Sequence, residues 1–358
     1  MTQEELSRRV GITRSSVSAF ENALKFPGIK TVMQLAAELE IPVAYLQNGR
    51  PIRGNRTGAL SYRRKSRTPL TVQSQMSRQE EWLEDICSVY NAYIDFPEVN
   101  LPHGEPMDYE KLSYDNIEEI SSELRFQWGM GLGPIANLTD FVEANGIVVG
   151  RVILDSNIDA VSVWRSCGPR VLLNKVVSSC ARVRMSLAHE LGHLVLHRAA
   201  NEEDYDDKAK HDLMERQASF FAGCFLFPRR SFYNEFHSFR FDALVLLKKR
   251  WGISMGAIVM RAKNLDLLNE DNVTNFYKNL STRGYSRRRE PLDSEIPIEQ
   301  IRLFSDAGRM LAENGINLQR IIDETLLAGK DFYALTDTMP MAGSEKNVKI
   351  LQFRKDGG

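Results

Sequence analysis

Long apolar runs, paired cysteines and an apolar leader are all absent from this sequence of 358 residues. No apolar run approaches the ~20 residues that a membrane-spanning helix needs, so we expect no membrane partner. The charged start "MTQEELSRRV" has no apolar centre like that of a secretory signal, which predicts a cytoplasmic protein. The cysteines at 87, 167, 180 and 224 are scattered, which argues against a disulfide framework or a cysteine zinc knuckle and favours small buried side chains.

A large net charge is also absent, because the formal total is −1, but that total hides an uneven distribution. The first 70 residues hold twelve Lys and Arg against five Asp and Glu, so they carry +7 and the remainder carries −8. A basic segment attached to a mildly acidic body indicates a polyanion, such as DNA, as the partner of that segment alone.

Composition and periodicity divide the chain into five parts. The predicted boundaries are 1–48 for a module of short helices, 49–80 for a basic linker, 81–230 for a domain of helices and strands, 231–295 for a helical extension and 296–358 for a C-terminal region. Within the first part, Thr2 and Thr13 have the residue type and position of helix N-caps. The predicted fold class is α+β and mostly helical.

Three runs rich in β-branched residues predict a small sheet, at 146–154, 160–165 and 170–175. Two longer helices follow, over about 181–198 and about 210–227, and Pro228 ends the second. The strand at 170–175 is a candidate for an exposed sheet edge to which an extended peptide could add. Another segment could equally cover that edge.

The stretch "SLAHELGHLVLH" at 186–197 carries three of the six histidines. Side chains four apart on a helix have Cβ atoms ~5–6 Å apart, so His189 and His193 can both reach one ion at ~2.0–2.1 Å. Glu190 lies beside them and can take a proton from a water that a metal activates. A histidine pair bracketing an acid at this spacing is expected on the order of 0.01 times by chance in this composition. A packing helix that merely carries histidines is the alternative.

A catalytic zinc site needs a third protein ligand. His197 is eight residues from His189, about 12 Å along the helix axis, so we expect it to hydrogen-bond or pack near the ligands instead. Glu215 lies on the apolar face of the next helix, where a lone carboxylate is costly unless it binds a metal or a cation. An antiparallel helix pair would bring Glu215 to the histidines; a buried salt bridge with Arg182 or Arg184 is the alternative.

The implied chemistry is zinc-assisted hydrolysis at a carbonyl, with Glu190 moving the proton to the leaving nitrogen. The side chain that would stabilise the oxyanion is not identified by the pattern. The candidates are Tyr205, His197 and His211.

The stretches "RVRMSLAHELGHLVLH", "MERQASFFAGCFLFP" and "DAVSVW" resemble the ImmA/IrrE family of bacterial zinc metallopeptidases. The resemblance implies a zincin-like domain that holds Zn²⁺ on His189, His193 and Glu215, with Glu190 as the catalytic residue. It also implies a protein substrate, a helix-turn-helix repressor or an antitoxin-like protein, in the control of stress, phage or mobile-element genes. Two family positions differ here, with Gln217 in place of a second glutamate and Ser219 in place of an asparagine.

The segment that starts "TQEELSRRVGITRSSVSAFENA" resembles the helix-turn-helix domain of Xre-like (lambda-repressor-like) regulators, without that family's first helix. The resemblance implies that a helix entering the major groove presents the N-terminal half of its exposed face to DNA. The residues at those positions are Arg14, Ser15, Ser16 and Ser18, with Gln3 near a phosphate. Ala23 stands where the family has a glycine, at a position that favours left-handed backbone.

These features leave two functions of different classes open. One is a zinc endopeptidase tethered to a DNA-binding module, with the basic linker as a second phosphate contact. The other is a DNA-binding regulator whose peptidase-like domain only senses a ligand or partner. The stretch "LLKKRWGISMGAIVMRAKNL" is either a second DNA reader or a helical platform for the peptidase domain. A second copy of the chain, forming a homodimer, is also among the possible partners.

Overall fold

The computed structural model describes residues 1–47, 70–102, 107–153, 158–165, 168–339 and 352–353. Most of the predicted basic linker, at 49–69, therefore lies outside the described residues. Within the described ranges, no helix combines the length and the apolar character that crossing a membrane requires. Helices dominate and the one three-stranded sheet is small, which confirms the predicted α+β, mostly helical class.

Four short helices form the N-terminal module. They are α1 (Gln3–Val10), α2 (Arg14–Glu21), α3 (Ile29–Leu39) and α4 (Val43–Gln47). Both predicted caps are confirmed, because Thr2 Oγ1 accepts a hydrogen bond from the Glu5 amide at 3.1 Å and Thr13 Oγ1 accepts one from the Ser16 amide at 3.2 Å. Ala23 has a φ of 54°, so the left-handed backbone expected at this position is present.

The sheet consists of β2 (Val148–Val152), β3 (Ala160–Arg165) and β4 (Gly168–Asn174), in the order β2-β4-β3. The central strand, β4, pairs in parallel with β2 and antiparallel with β3. Of the two possibilities for 170–175, an open edge is therefore wrong, and coverage by other segments is confirmed. The run from Pro169 to Asn174 is buried throughout, which is typical of a strand with neighbours on both sides.

Helices cover both faces of this sheet. The layer that carries the histidine motif consists of α6 (Tyr114–Gln127), α7 (Leu138–Ala144), α8 (Cys180–Leu196), α9 (Glu202–Asp206), α10 (Lys208–Leu226), α11 (Arg229–Glu235), α12 (Phe241–Trp251), α13 (Met255–Asn264) and α14 (Glu270–Thr282). Apart from α9, whose Tyr205 packs with Tyr109 and Met214, these helices join their apolar side chains in one core with Val149, Ala160 and Val171 of the sheet. The predicted extension at 231–295 thus shares its core with the domain before it. In the "LLKKRWGISMGAIVMRAKNL" stretch, most of α13 is buried in that core.

The opposite layer consists of α5 (Leu70–Tyr90), α15 (Leu303–Glu313), α16 (Leu318–Thr325) and α17 (Gly329–Thr336), with a short pair of strands β1 (Ile94–Asp95) and β5 (Gln352–Phe353) at its side. The predicted linker extends too far, because residues 70–80 are the first turns of α5. Val72 and Met76 pack into the same core as Leu83 and Tyr90, so the apolar stripe of that helix begins well before residue 81.

Besides its packing against α5, the C-terminal region is connected to α7 and α8 by the buried carboxylate of Glu299. Glu299 accepts hydrogen bonds from the backbone amides of Leu138 and Thr139, at 3.0 and 2.9 Å, at the start of α7. It also accepts one from Arg184 Nε at 2.7 Å. A carboxylate at a helix N-terminus is favourable because the free amides and the helix dipole both attract negative charge.

Candidate metal centre

The two long helices α8 and α10 run antiparallel, and three polar side chains converge between them. His189 Nε2 lies 3.1 Å from His193 Nε2. Glu215 Oε2 lies 3.5 Å from His189 Nε2, and its Oε1 lies 3.4 Å from His193 Nε2. The structure thus brings together the three side chains that the sequence suggested as ligands, and their donor atoms all lie within 4.8 Å of one another.

These separations fit a tetrahedral ion. Donors bonded at ~2.0–2.1 Å in tetrahedral geometry lie about 3.3 Å apart, close to the three distances given above. Two imidazole nitrogens and one carboxylate oxygen are a donor set that suits Zn²⁺ and leaves a fourth position for water or substrate. The residues present therefore fit a catalytic zinc ion.

The charge of Glu215 matches this geometry. Burial alone would raise the pKa of its carboxyl, but the neighbouring imidazoles of His189 and His193 outweigh burial and hold that pKa well below its usual range. In the part of the chain that the structure describes, neither arginine pairs with Glu215, and each has another acidic partner. Arg182 pairs with Asp159 at 2.6 Å, and Arg184 pairs with Glu299 at 2.6 Å.

Glu190 lies on α8 beside the first histidine and is buried against the sheet. Ser162 Oγ donates a hydrogen bond to Glu190 Oε2 at 2.6 Å. Ser162 was not among the predicted site residues, although strand alternation contains the signal. Ala160, Ser162 and Trp164 share the face of β3 that meets α8, and Trp164 Nε1 donates to the Leu194 carbonyl at 3.1 Å.

His197 lies behind His193, away from Glu215. Its Nδ1 is 2.9 Å from His193 Nδ1, and its Nε2 is 3.0 Å from Gln217 Oε1. Burial, and then the neighbouring His193, lowers the pKa of His197 well below its ordinary value. On the other ligand, His189 Nδ1 lies 3.2 Å from Ser219 Oγ. The two positions that differ from the ImmA/IrrE pattern, Gln217 and Ser219, therefore both contact this histidine cluster.

The three oxyanion candidates differ in their placement. Both ring nitrogens of His197 are engaged by His193 and Gln217, which rules it out. His211 Nε2 is 3.9 Å from Glu215 Oε1. Tyr205 is buried, and burial, followed by the charges of Glu190 and Glu215, raises the pKa of its hydroxyl, which therefore keeps its proton.

A cleft of about 690 Å³ opens beside the three converging side chains. Glu215 and Ser219 lie at one side of it, and α13 and α14 form the other. Its lining mixes apolar side chains with charged ones of both signs, including Met185, Phe220, Met260, Arg216, Arg287 and Glu290. A cleft of this size is large enough to hold several residues of a peptide.

The residues suggested for DNA contact lie around α2 in the N-terminal module. Arg14 and Ser15 are exposed at its start, and Ser16 and Ser18 are half-buried. The Ser16 hydroxyl lies 2.9 Å from that of Thr13. The Gln3 amide donates to Glu21 Oε2 at 2.5 Å, so in this structure its polar end contacts α2.

Comparison with known families agrees with these two regions. Residues 1–46 match the family model described as helix-turn-helix. Residues 142–263 match the model of a peptidase family described as the IrrE N-terminal-like domain. That matched range contains β2 to β4, both long helices and the whole His189–Glu215 cluster. No curated protein matched the chain.

Proposed function

Because the chain joins a helix-turn-helix domain to an IrrE N-terminal-like peptidase domain, we propose that it is a zinc-dependent endopeptidase with a narrow protein substrate. The substrate class we propose is a helix-turn-helix repressor or an antitoxin-like protein, whose cleavage changes the transcription of stress, phage or mobile-element genes. The observation that carries the proposal is the convergence of His189, His193 and Glu215 at zinc-like separations, with Glu190 alongside.

Each group has a defined task in this reaction. When bound on His189, His193 and Glu215, Zn²⁺ supplies a Lewis acid that polarises the scissile carbonyl and lowers the pKa of a water molecule. Glu190 accepts the proton of the attacking water and passes it to the leaving nitrogen. Ser162 holds one oxygen of that carboxylate through its hydroxyl, which leaves the other oxygen for proton transfer.

The cleft supports a peptide as the substrate. It runs from Glu215 and Ser219 toward α13 and α14, and its apolar lining would bury side chains on one side of the scissile bond. We propose Tyr205 as the donor to the developing oxyanion, because its hydroxyl keeps its proton and the charges of Glu190 and Glu215 contribute to its raised pKa.

The N-terminal module would place the peptidase near operator DNA. Arg14 and Ser15 are exposed at the start of α2, where a helix entering the major groove meets base edges. We propose that Ser16 and Ser18 follow on the same helix and that Gln3 reaches a phosphate after releasing Glu21.

A cleavage assay tests the enzyme against a non-catalytic sensor. The purified chain, loaded with zinc, is incubated with purified helix-turn-helix repressors from the same cell, and the products are identified by mass spectrometry. The matched variant is Glu190→Gln, which should retain zinc and fold while losing cleavage by ~10²–10⁴-fold. Cleavage by wild type that EDTA abolishes supports the enzyme. A variant that cleaves as well as wild type, or a wild type that binds no zinc, would overturn it.

A further inference from the structure

A line of buried hydrogen bonds leads away from His193 on the side opposite Glu215. His193 Nδ1 meets His197 Nδ1 at 2.9 Å, and His197 Nε2 meets Gln217 Oε1 at 3.0 Å. Gln217 Nε2 then donates to the backbone carbonyl of Tyr109 at 2.7 Å. All three side chains in this line are at most 5% exposed, and the Tyr109 ring stands edge-on to His197 with ring centres 5.7 Å apart.

The direction of each hydrogen bond follows from the last acceptor in the line. A backbone carbonyl can only accept, so the amide nitrogen of Gln217 must face Tyr109. The amide oxygen of Gln217 therefore faces His197, and it too can only accept. His197 must then donate from Nε2, and at a pH where ordinary histidines hold a single ring proton this leaves Nδ1 as a bare acceptor.

The same reasoning extends to His193. The two Nδ1 atoms are 2.9 Å apart, so one of them must donate a hydrogen bond and the other must accept it. His197 Nδ1 carries no proton and is therefore the acceptor. His193 must therefore carry its proton on Nδ1. Its Nε2 is then an unprotonated lone pair, and that is the atom 3.4 Å from Glu215 Oε1.

We propose that the Tyr109 carbonyl, Gln217 and His197 form a relay that sets the tautomer and ring orientation of His193 before a metal arrives. The proposal rests on the function proposed above only in taking His193 as a ligand. His197 and Gln217 are positioning residues in it, because they act through His193. Such outer hydrogen bonds typically change metal affinity by ~10–100-fold.

The other ligand has no such relay, which provides an internal control. His189 Nδ1 contacts only the hydroxyl of Ser219, at 3.2 Å among the described residues, and a hydroxyl can donate or accept. Ser219 is exposed, whereas Gln217 is 1% exposed. The relay thus fixes the tautomer of His193 from its Nδ1 side, whereas the Ser219 hydroxyl imposes no tautomer on His189 from its own Nδ1 side. A glutamate at position 217 would place a second acceptor against the Tyr109 carbonyl. The hydrogen bond to that carbonyl would be lost, and with it the orientation of the side chain at position 217.

Long-range ¹H–¹⁵N NMR of metal-free protein with ¹⁵N-labelled histidine tests the relay, at about pH 8 where ordinary histidines are neutral. Wild type should show His193 protonated on Nδ1. In Gln217→Leu the His193 signals should move toward a mixture of tautomers, and zinc affinity should fall ~10–100-fold. Ser219→Ala, on the same helix, should leave His193 unchanged.

A second pair of variants covers the case in which Gln217→Leu fails to fold. His197→Gln keeps an amide oxygen that can accept from His193 and should retain the Nδ1 tautomer, whereas His197→Leu should lose it. A wild-type His193 protonated on Nε2, or a tautomer that none of these changes affects, overturns the relay. Because the spectra need neither zinc nor cleavage, a fixed tautomer in a protein that binds no zinc would refute the peptidase and leave the relay intact.

Discussion

Gly192 of α8 lies directly against Ala218 of α10. A Cβ atom built on Gly192 would be 3.1 Å from the Ala218 Cα and 3.2 Å from its carbonyl oxygen, so a side chain there would push the two backbones apart by a few tenths of an ångström. His193 follows Gly192 on α8, and Glu215 lies one turn before Ala218 on α10. The close approach of the two helices is therefore what places the carboxylate within reach of both imidazoles.

Gly192→Ala should separate the helices and destabilise the protein by about 1–3 kcal/mol, because the atoms it meets are largely backbone and cannot move aside. Zinc affinity should fall with it. Gly223→Ala on α10 is the control, since its Cβ would come no closer than 3.7 Å to Arg261 and alanine favours a helix by about 0.5–1 kcal/mol. Thermal denaturation measures the stability of both glycine variants, and a Gly192→Ala variant as stable as wild type would contradict the packing argument.

Ser162→Ala should lower the rate of cleavage on the order of tenfold while leaving zinc content unchanged. The lost hydrogen bond is to a carboxylate, and such bonds contribute about 1.5–3 kcal/mol. The readout is kcat on the identified substrate together with metal analysis. Ser122→Ala, on α6, serves as the control because its hydroxyl donates to the Glu118 carbonyl and contacts no group of the centre. An unchanged kcat would show that the hydrogen bond from Ser162 to Glu190 does not contribute to catalysis.

Glu215→Gln should reduce zinc affinity by more than the ~10–100-fold typical of a lost outer hydrogen bond, because it removes the anionic ligand. Competition with a chelating dye gives the dissociation constant. Glu123→Gln makes the same chemical change at an exposed position of α6 and should bind zinc as wild type does. Equal affinity in the two variants would exclude Glu215 as a ligand.

The sequence predicted the parts of this fold that depend on local chemistry. Thr2 and Thr13 cap helices because a hydroxyl at that position satisfies a free amide. The spacing of His189 and His193 on one helix face, and the cost of burying Glu215 alone, likewise follow from single helices. These are statements about residues close in sequence.

Contacts between distant elements were not predictable in this way. Nothing local indicates that β4 lies between β2 and β3, or that Ser162 faces Glu190 across 28 residues. The tie from Gln217 to Tyr109 spans 108 residues. The start of α5 was predicted too late for a different reason. The Gly-, Pro- and Arg-rich composition of the preceding stretch indicated a linker, although the apolar face of the helix already begins at Val72.

Glu143 should make stability depend on pH. Its buried carboxylate accepts from the amides of Arg302 and Leu303 at the start of α15, at 2.8 and 3.2 Å. Burial, with the charges of Asp140 and Asp306, nevertheless raises its pKa from 4.5 to about 8. Between those values the folded protein holds a proton that the unfolded chain has released, so the free energy of unfolding falls as pH rises through that window.

Glu143→Gln should remove this dependence, because an amide oxygen can accept the same hydrogen bonds without a charge. Each pKa unit corresponds to about 1.4 kcal/mol, so wild type should lose a few kcal/mol between about pH 5 and pH 9 that the variant retains. Urea denaturation at both pH values measures this, with Glu123→Gln as the exposed control. Parallel losses in wild type and Glu143→Gln would mean that other groups set the pH dependence.

Arg14→Ala should weaken the binding of duplex DNA taken from upstream of the chain's own gene. Arg14 is exposed at the start of α2, and among the described residues no ion pair neutralises it. Arg9→Ala is the matched control, because Arg9 is already paired with Glu5 and Glu38 at 2.7 and 2.8 Å. If Arg14 meets a phosphate, its loss should reduce the slope of log affinity against log salt by about 0.9, and the Arg9 variant should keep the wild-type slope. Gel shifts at several salt concentrations give both quantities, and equal retention for the two variants would show that α2 is not the DNA-reading helix.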